Sequence, residues 1–163
     1  MSRLDSAIRR LQAQKAALED AADRVAGLDG PVLEFGLGNG RTYDHLRAIV
    51  PGRRIVVFDR QVAAHPDCIP PDRDLYLGDL FETLPRALAE LGPCAVLAHL
   101  DIGTGDKAGS MALVARAAPL IAGLLAAGAV MVSDQPIEGV PGLDPLPLPD
   151  GIEPGRIHML VRA

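Results

Sequence analysis

The stretch Val-Leu-Glu-Phe-Gly-Leu-Gly-Asn-Gly-Arg-Thr, residues 32–42, limits the folds open to this 163-residue chain more than any other part of it. A short apolar run leads into glycines at 36, 38 and 40, and a helical pattern follows from Thr42 to Ile49. Glycine, having no Cβ, permits a sharp strand-to-helix turn and lets a ligand lie against the backbone. Turns of this kind carry the closest ligand contacts in open sheets wound with helices.

The rest of the chain repeats the same alternation. Strands are predicted at Val32 to Leu37, Arg54 to Asp59, Asp74 to Gly78, Ala95 to Asp101, Ala129 to Asp134 and Arg156 to Arg162. Helices are predicted at Thr42 to Ile49, Leu84 to Leu91 and Ser110 to Ala127. The pattern implies an α/β, Rossmann-like, doubly wound fold with a mostly parallel sheet and helices on both faces. Ahead of it, residues 1–28 form an extra N-terminal helix, with Leu4, Leu11, Leu18 and Val25 in a seven-residue repeat and Ile8 and Ala22 beside them. That helix either covers one face of the sheet or makes a dimer contact. The whole chain, 1–163, reads as a single domain with its α/β core at 31–163.

Two stretches need separate treatment. Ala117 to Val132 is apolar throughout but shorter than the roughly 18–20 residues of a membrane span. Gly128 divides it into a buried helix and a central strand. The segment from Pro136 to Gly155 holds six prolines and four glycines, so it is expected to be a loop, either a functional flap or a plain surface connection.

A net charge of −5, with no Trp, two Tyr and three Phe, supplies neither a basic face nor a stacking platform, which argues against a nucleic-acid partner. Cys68 and Cys94 stand alone, with no zinc-type spacing and no disulfide framework. The first residues, MSRLDSAIRRLQ, lack the apolar core of a secretion signal. A cytoplasmic protein without a membrane partner is expected.

The dinucleotide fingerprint GxGxxG requires glycine at position 41, where Arg41 stands. That departure disfavours an NAD(P)-dependent oxidoreductase, which is kept as an alternative together with a non-catalytic member of the same fold. The heptapeptide Glu34-Phe35-Gly36-Leu37-Gly38-Asn39-Gly40 instead resembles motif I of the class I S-adenosylmethionine-dependent methyltransferases. The resemblance continues at later strand ends, in Asp59, in Asp79 and in Asp101, which is similar to motif IV.

The resemblance implies a methyltransferase using S-adenosyl-L-methionine on a small-molecule acceptor. Glu34 would face the methionine amino group, with Gly36, Gly38 and Gly40 beneath the ligand and the amides of Thr42 and Tyr43 on its carboxylate. Asp59 would hold the ribose, with Arg60 beside it. Asp79 would accept from the adenine amino group, and Leu80 and Phe81 would give apolar contact. Asp101 would be the catalytic position.

The segment GAVMVSDQPIEG is also similar to the metal-binding part of catechol-type O-methyltransferases, which implies a Mg²⁺ site from Asp101, Asp134 and Gln135, although Gln stands where that family has Asn. His99, two residues before Asp101 on one strand face, is either a general base or a satisfied buried histidine. The chain is small for the family, so either the N-terminal helix or a second subunit is expected to complete the acceptor site, and a homo-oligomer is expected.

Overall fold

The computed structural model describes residues 1–163. The sheet is built from β1 (Val32–Phe35), β2 (Ile55–Asp59), β3 (Leu75–Leu77), β4 (Ala95–Leu100), β5 (Leu125–Ser133), β6 (Leu143–Pro145) and β7 (His158–Arg162). Its helices are α1 (Arg3–Arg24), α2 (Arg41–Ile49), α3 (Leu80–Leu91) and α4 (Lys107–Ala122). The strand order is β3-β2-β1-β4-β5-β7-β6. β1 to β5 run parallel, and β7 joins antiparallel to both β5 and β6.

β4, Ala95–Leu100, is buried along its whole length, as a strand covered on both faces must be. One face packs on α3 and α4 through Leu84, Ala87, Val114, Ala118 and Ile121. The other packs on α1 and α2 through Ala13, Ala17, Leu18, Ala21, Val25, Tyr43 and Leu46.

α1 is therefore one of the helices that close the sheet. Only its second half lies on the sheet. The expected seven-residue seam is buried at Leu18 and Val25, while Leu4, Ile8 and Leu11 stay exposed at 68%, 45% and 37%. The buried stripe is mainly alanine, and small side chains let a helix settle close onto strands.

Several element ends shift for identifiable reasons. α3 begins at Leu80 rather than Leu84, because Asp79 caps its first turn and Pro85 is accommodated inside. α4 begins at Lys107 under the Asp106 cap and stops at Ala122, so the apolar run divides at Gly123 and β5 already starts at Leu125. Gly128, with φ of 79°, marks an irregularity where the β4–β5 register shifts.

The proline-rich segment contributes the short strand β6, so β7 has an antiparallel partner that sequence patterning did not reveal. Leu146, Leu148 and Ile152 pack against the core on the α1 face, and the segment enters β7 at His158, level with Ser133 at the carboxyl end of β5. No helix is long and apolar enough to cross a membrane.

Three aromatic rings form a ladder across the parallel strands. Phe35 stacks on Phe58 at 4.5 Å between centroids, and Phe58 stacks on Tyr76 at 4.9 Å. The register pairs Phe35 with Phe58 and Phe58 with Tyr76, so the ladder follows directly from strand alignment. Burial and a hydrogen bond to Glu90 push the Tyr76 hydroxyl up to about 12. Phe58→Ala empties the middle rung and is expected to cost about 3–5 kcal/mol, measured as a loss of unfolding free energy in urea.

Candidate cofactor cavity and active site

β1 and β4 are neighbours, yet the chain leaves β1 outward toward β2 and β3 and then returns across to β4 and β5. The crevice at their carboxyl ends is the switch point where such sheets bind ligands. A cavity of about 430 Å³ lies there. Four successive strand ends line it: Gly36 and Gly38 after β1, Phe58 to Arg60 at β2, Gly78 to Phe81 after β3, and Asp101 to Thr104 after β4. Leu113 of α4 closes one side.

The three glycines of the turn have different physical roles. Gly36 has φ of 89°, and a Cβ there would overlap the carbonyl oxygen of Asp101. Gly40 also has φ of 89°, and its Cβ would overlap that of Cys68 in the loop after β2. Both are set by chain packing. Gly38, at φ of 52°, has nothing within 4 Å of a Cβ position and lines the cavity.

The Asp59 carboxylate straps this turn in place. Its Oδ2 accepts from the amides of Leu37 at 2.8 Å and Gly38 at 3.3 Å, and its Oδ1 from those of Arg60 at 2.6 Å and Gln61 at 3.3 Å. Asp79 uses Oδ1 to cap α3 through the Phe81 amide at 2.8 Å. Both aspartates therefore build the cavity wall as well as face into it.

A buried polar chain runs behind the crevice. His99 Nδ1 lies 2.7 Å from Glu34 Oε2, and both side chains are wholly buried. Thr42 Oγ1 donates to the other Glu34 oxygen. On the far side, the Gln14 amide nitrogen is 3.1 Å from His99 Nε2 and donates to Asp101 Oδ2 at 3.0 Å. A donor at Nε2 matches the neutral imidazole with its proton at Nδ1, donated to Glu34.

Burial pulls the His99 pKa down, but the charge and hydrogen bond of Glu34, with Asp101 and Asp134 behind them, outweigh it and leave it raised. A second proton on His99 and the Gln14–Asp101 bond exclude one another, because Nε2–H would need the amide to turn its oxygen inward.

These contacts correct the expectation for Glu34 and bear on two others. Glu34 does not reach the cavity, since both its oxygens are taken by His99 and Thr42. The Tyr43 ring packs in the core, which leaves only its amide at the front of α2. His99 is wholly buried and is a structural partner rather than an exposed base. Thr42 lines a neighbouring groove, and Gly40 lies against the loop after β2. Gly36, Gly38, Asp59, Arg60, Asp79, Leu80 and Asp101 do meet in the cavity. Gln14 was missed in the sequence, because a glutamine on a helix carries no signal of its tertiary partner.

Asp101, Asp134 and Gln135 do not fit a magnesium site. The Gln135 amide nitrogen donates to Asp134 Oδ2 at 3.1 Å, Gln14 holds Asp101, and no three acidic, histidine or cysteine side chains gather as ligands. Asp134 Oδ1 is buried without a partner. Burial raises the Asp134 pKa, and the nearby Asp101 charge adds to that against the opposing Gln135 hydrogen bond.

A family model for S-adenosyl-L-methionine methyltransferases matches residues 1–163. The chain belongs to that family. The crystal structure of an S-adenosyl-L-methionine methyl transferase from Silicibacter pomeroyi DSS-3 is 47% identical, with a TM-score of 0.95 over 100% of this chain and 99% of that one. Two more distant structures share the fold. NSun6 from Pyrococcus horikoshii, solved with SFG, is 12% identical at a TM-score of 0.56, over 90% of this chain and 51% of that one. The sugar N-methyltransferase KedS8 from Streptoalloteichus sp ATCC 53650 is 21% identical at 0.53, over 88% and 57%. No curated protein matches the chain. The protein is thus an S-adenosylmethionine-dependent methyltransferase.

Two stability tests follow. His99→Leu removes the Nδ1 donor, leaves Glu34 without its buried partner and is expected to cost about 3–5 kcal/mol in urea unfolding. Because the folded His99 pKa is raised, its contribution is complete below the ordinary value of 6.5 and is lost as pH rises through the folded value, so the variant should lack that alkaline decline. Asp134→Asn has the opposite outcome. A raised carboxyl pKa means the charged form opposes folding above 3.8, so the variant should melt higher than the parent at neutral pH and converge with it as pH falls toward that value.

Proposed function

We propose that the cavity seats S-adenosylmethionine with its adenine toward Asp79, Leu80 and Phe81, its ribose toward Asp59 beside Arg60, and its methionine moiety across Gly36 and Gly38. The observation that carries this placement is the lining of the cavity, in which Gly36, Gly38, Asp59, Asp79 and Asp101 from four successive strand ends border one space. Ribose hydroxyls can replace the two weakest Asp59 contacts, those of Gly38 and Gln61 at 3.3 Å. The first-turn amides of α2, among them those of Thr42 and Tyr43, have no intrahelical acceptors and suit the methionine carboxylate.

Bound S-adenosylmethionine supplies an electrophilic methyl group. The protein aligns the partners and excludes water, which is most of what an in-line displacement requires. Asp101, oriented by Gln14, stands where the incoming nucleophile must shed its proton and acts as hydrogen-bond acceptor or base. Since the Mg²⁺ ligands do not assemble, no step is assigned to a metal.

The acceptor is proposed to be a small molecule, because the hollow adjoining the cavity measures only about 210 Å³ and a net charge of −5 does not favour nucleic acid. The exposed Leu4, Ile8 and Leu11 of α1 support a homo-oligomer formed through that helix, to be read as the mass in sedimentation equilibrium. Cys68 and Cys94 are free thiols, which suits a reducing cytoplasm.

S-adenosylhomocysteine at one hundred times its dissociation constant should add about 2.7 kcal/mol of stability, seen as a rise in melting temperature, and NAD(H) should add none. A shift with NAD(H) alone would reverse the assignment. Asp79→Ser keeps an oxygen to cap α3 but shortens the reach to adenine. It is expected to preserve the melting temperature of the free protein and to weaken S-adenosylhomocysteine about tenfold in calorimetric titration, the loss of one charge-assisted hydrogen bond.

A further inference from the structure

Where the proline-rich segment approaches β7, Ile152, Glu153 and Arg156 face Arg9, Gln12 and Ala13 of α1 across a hollow of about 270 Å³. It shares no lining residue with the cofactor cavity or with the smaller hollow beside the glycine turn. Its charge is two guanidiniums against one carboxylate, in a chain whose net charge is −5. That carboxylate serves both arginines poorly. Glu153 Oε1 lies 3.7 Å from Arg9 and Oε2 lies 3.9 Å from Arg156, against 2.6 Å in the Arg54–Asp74 pair. The Glu153 side chain is 66% exposed, and exposed ion pairs contribute little to stability. Arg156 is held better, at 23% exposed, with Nη1 donating to the Ser6 carbonyl at 3.4 Å, so its guanidinium is already oriented.

We infer that this hollow binds a small molecule carrying a phosphate group, held between Arg9 and Arg156. A planar carboxylate already spans the two guanidiniums and reaches neither at hydrogen-bond distance. A phosphate dianion offers three oxygens in a tetrahedral array and more charge, so it can engage both forks at once. Gln12 lines the same hollow and can add a neutral amide donor. Glu153 swings out to solvent as the ligand enters, and displacing it is the electrostatic cost of binding. The bound group joins α1, the helix that extends Gln14 to Asp101, to the segment leading into β7.

The test follows melting temperature at pH about 8, where phosphate is dianionic, with inorganic phosphate, glycerol phosphate or chloride at matched ionic strength. Both phosphates should stabilise the protein saturably, with or without saturating S-adenosylhomocysteine, and chloride should not. Arg9→Gln, an exposed change, and Arg156→Gln should each weaken glycerol phosphate about tenfold in calorimetric titration, the loss of charge-assisted hydrogen bonds. Glu153→Gln should tighten it several-fold, because the competing carboxylate is gone; ion pairs that merely clip the segment to α1 predict no such gain. All three variants should keep the parent's affinity for S-adenosylhomocysteine. A response no greater than that of chloride, binding of inorganic phosphate alone, unchanged affinity in Arg9→Gln, or no gain in Glu153→Gln overturns the assignment. So does loss of the response in the presence of S-adenosylhomocysteine, which would give the phosphate to the cofactor cavity instead.

Discussion

The site depends on how closely two strand ends approach each other. At residue 36 the backbone after β1 passes so near the Asp101 carbonyl after β4 that there is no room for a side chain. That contact, between strands that leave for opposite edges of the sheet, fixes the position of the glycine turn. The Asp59 carboxylate then holds the turn from the other side through the Leu37 and Gly38 amides. The cavity is therefore preorganised by backbone packing and main-chain hydrogen bonds, and little of the wall has to reorder when a ligand enters.

Behind that wall, the polar chain from Thr42 through Glu34, His99 and Gln14 to Asp101 connects α2, β1, β4, α1 and the end of β4. A carboxylate and an imidazole in a sheet interior are costly unless each polar atom has a partner, and here each one does. The arrangement ties the N-terminal helix to the catalytic position. α1 closes one sheet face with its alanine stripe and also extends Gln14 to Asp101, with Arg10 one turn away beside the adjoining groove. The contrast with Asp134 is instructive, since its Oδ1 is buried without any partner.

Much of this was legible in the sequence because it is local or periodic. Continuous apolar runs marked the central strands, and the glycine spacing marked the turn. Acidic residues at the ends of β2, β3 and β4 marked a line of carboxylates that the fold brings together at Asp59, Asp79 and Asp101. Element boundaries were less legible. The start of α3 depends on Asp79 serving as a cap, and the end of α4 lies at Gly123 inside an unbroken apolar run. The short edge strand β6 owes its existence to pairing with β7 rather than to any alternation of its own.

The sequence by itself determined the parallel α/β architecture, the position of the glycine turn and the set of strand-end carboxylates, because each rests on patterns within a few neighbouring residues. Only the tertiary structure decided which groups face the ligand. Glu34 was redirected inward by His99, a residue 65 positions away, and Gln14 was brought to Asp101 from 87 positions away. Hydrogen bonds in a dry interior are satisfied by whatever partner folding brings near, and no local pattern records a partner that distant in the chain.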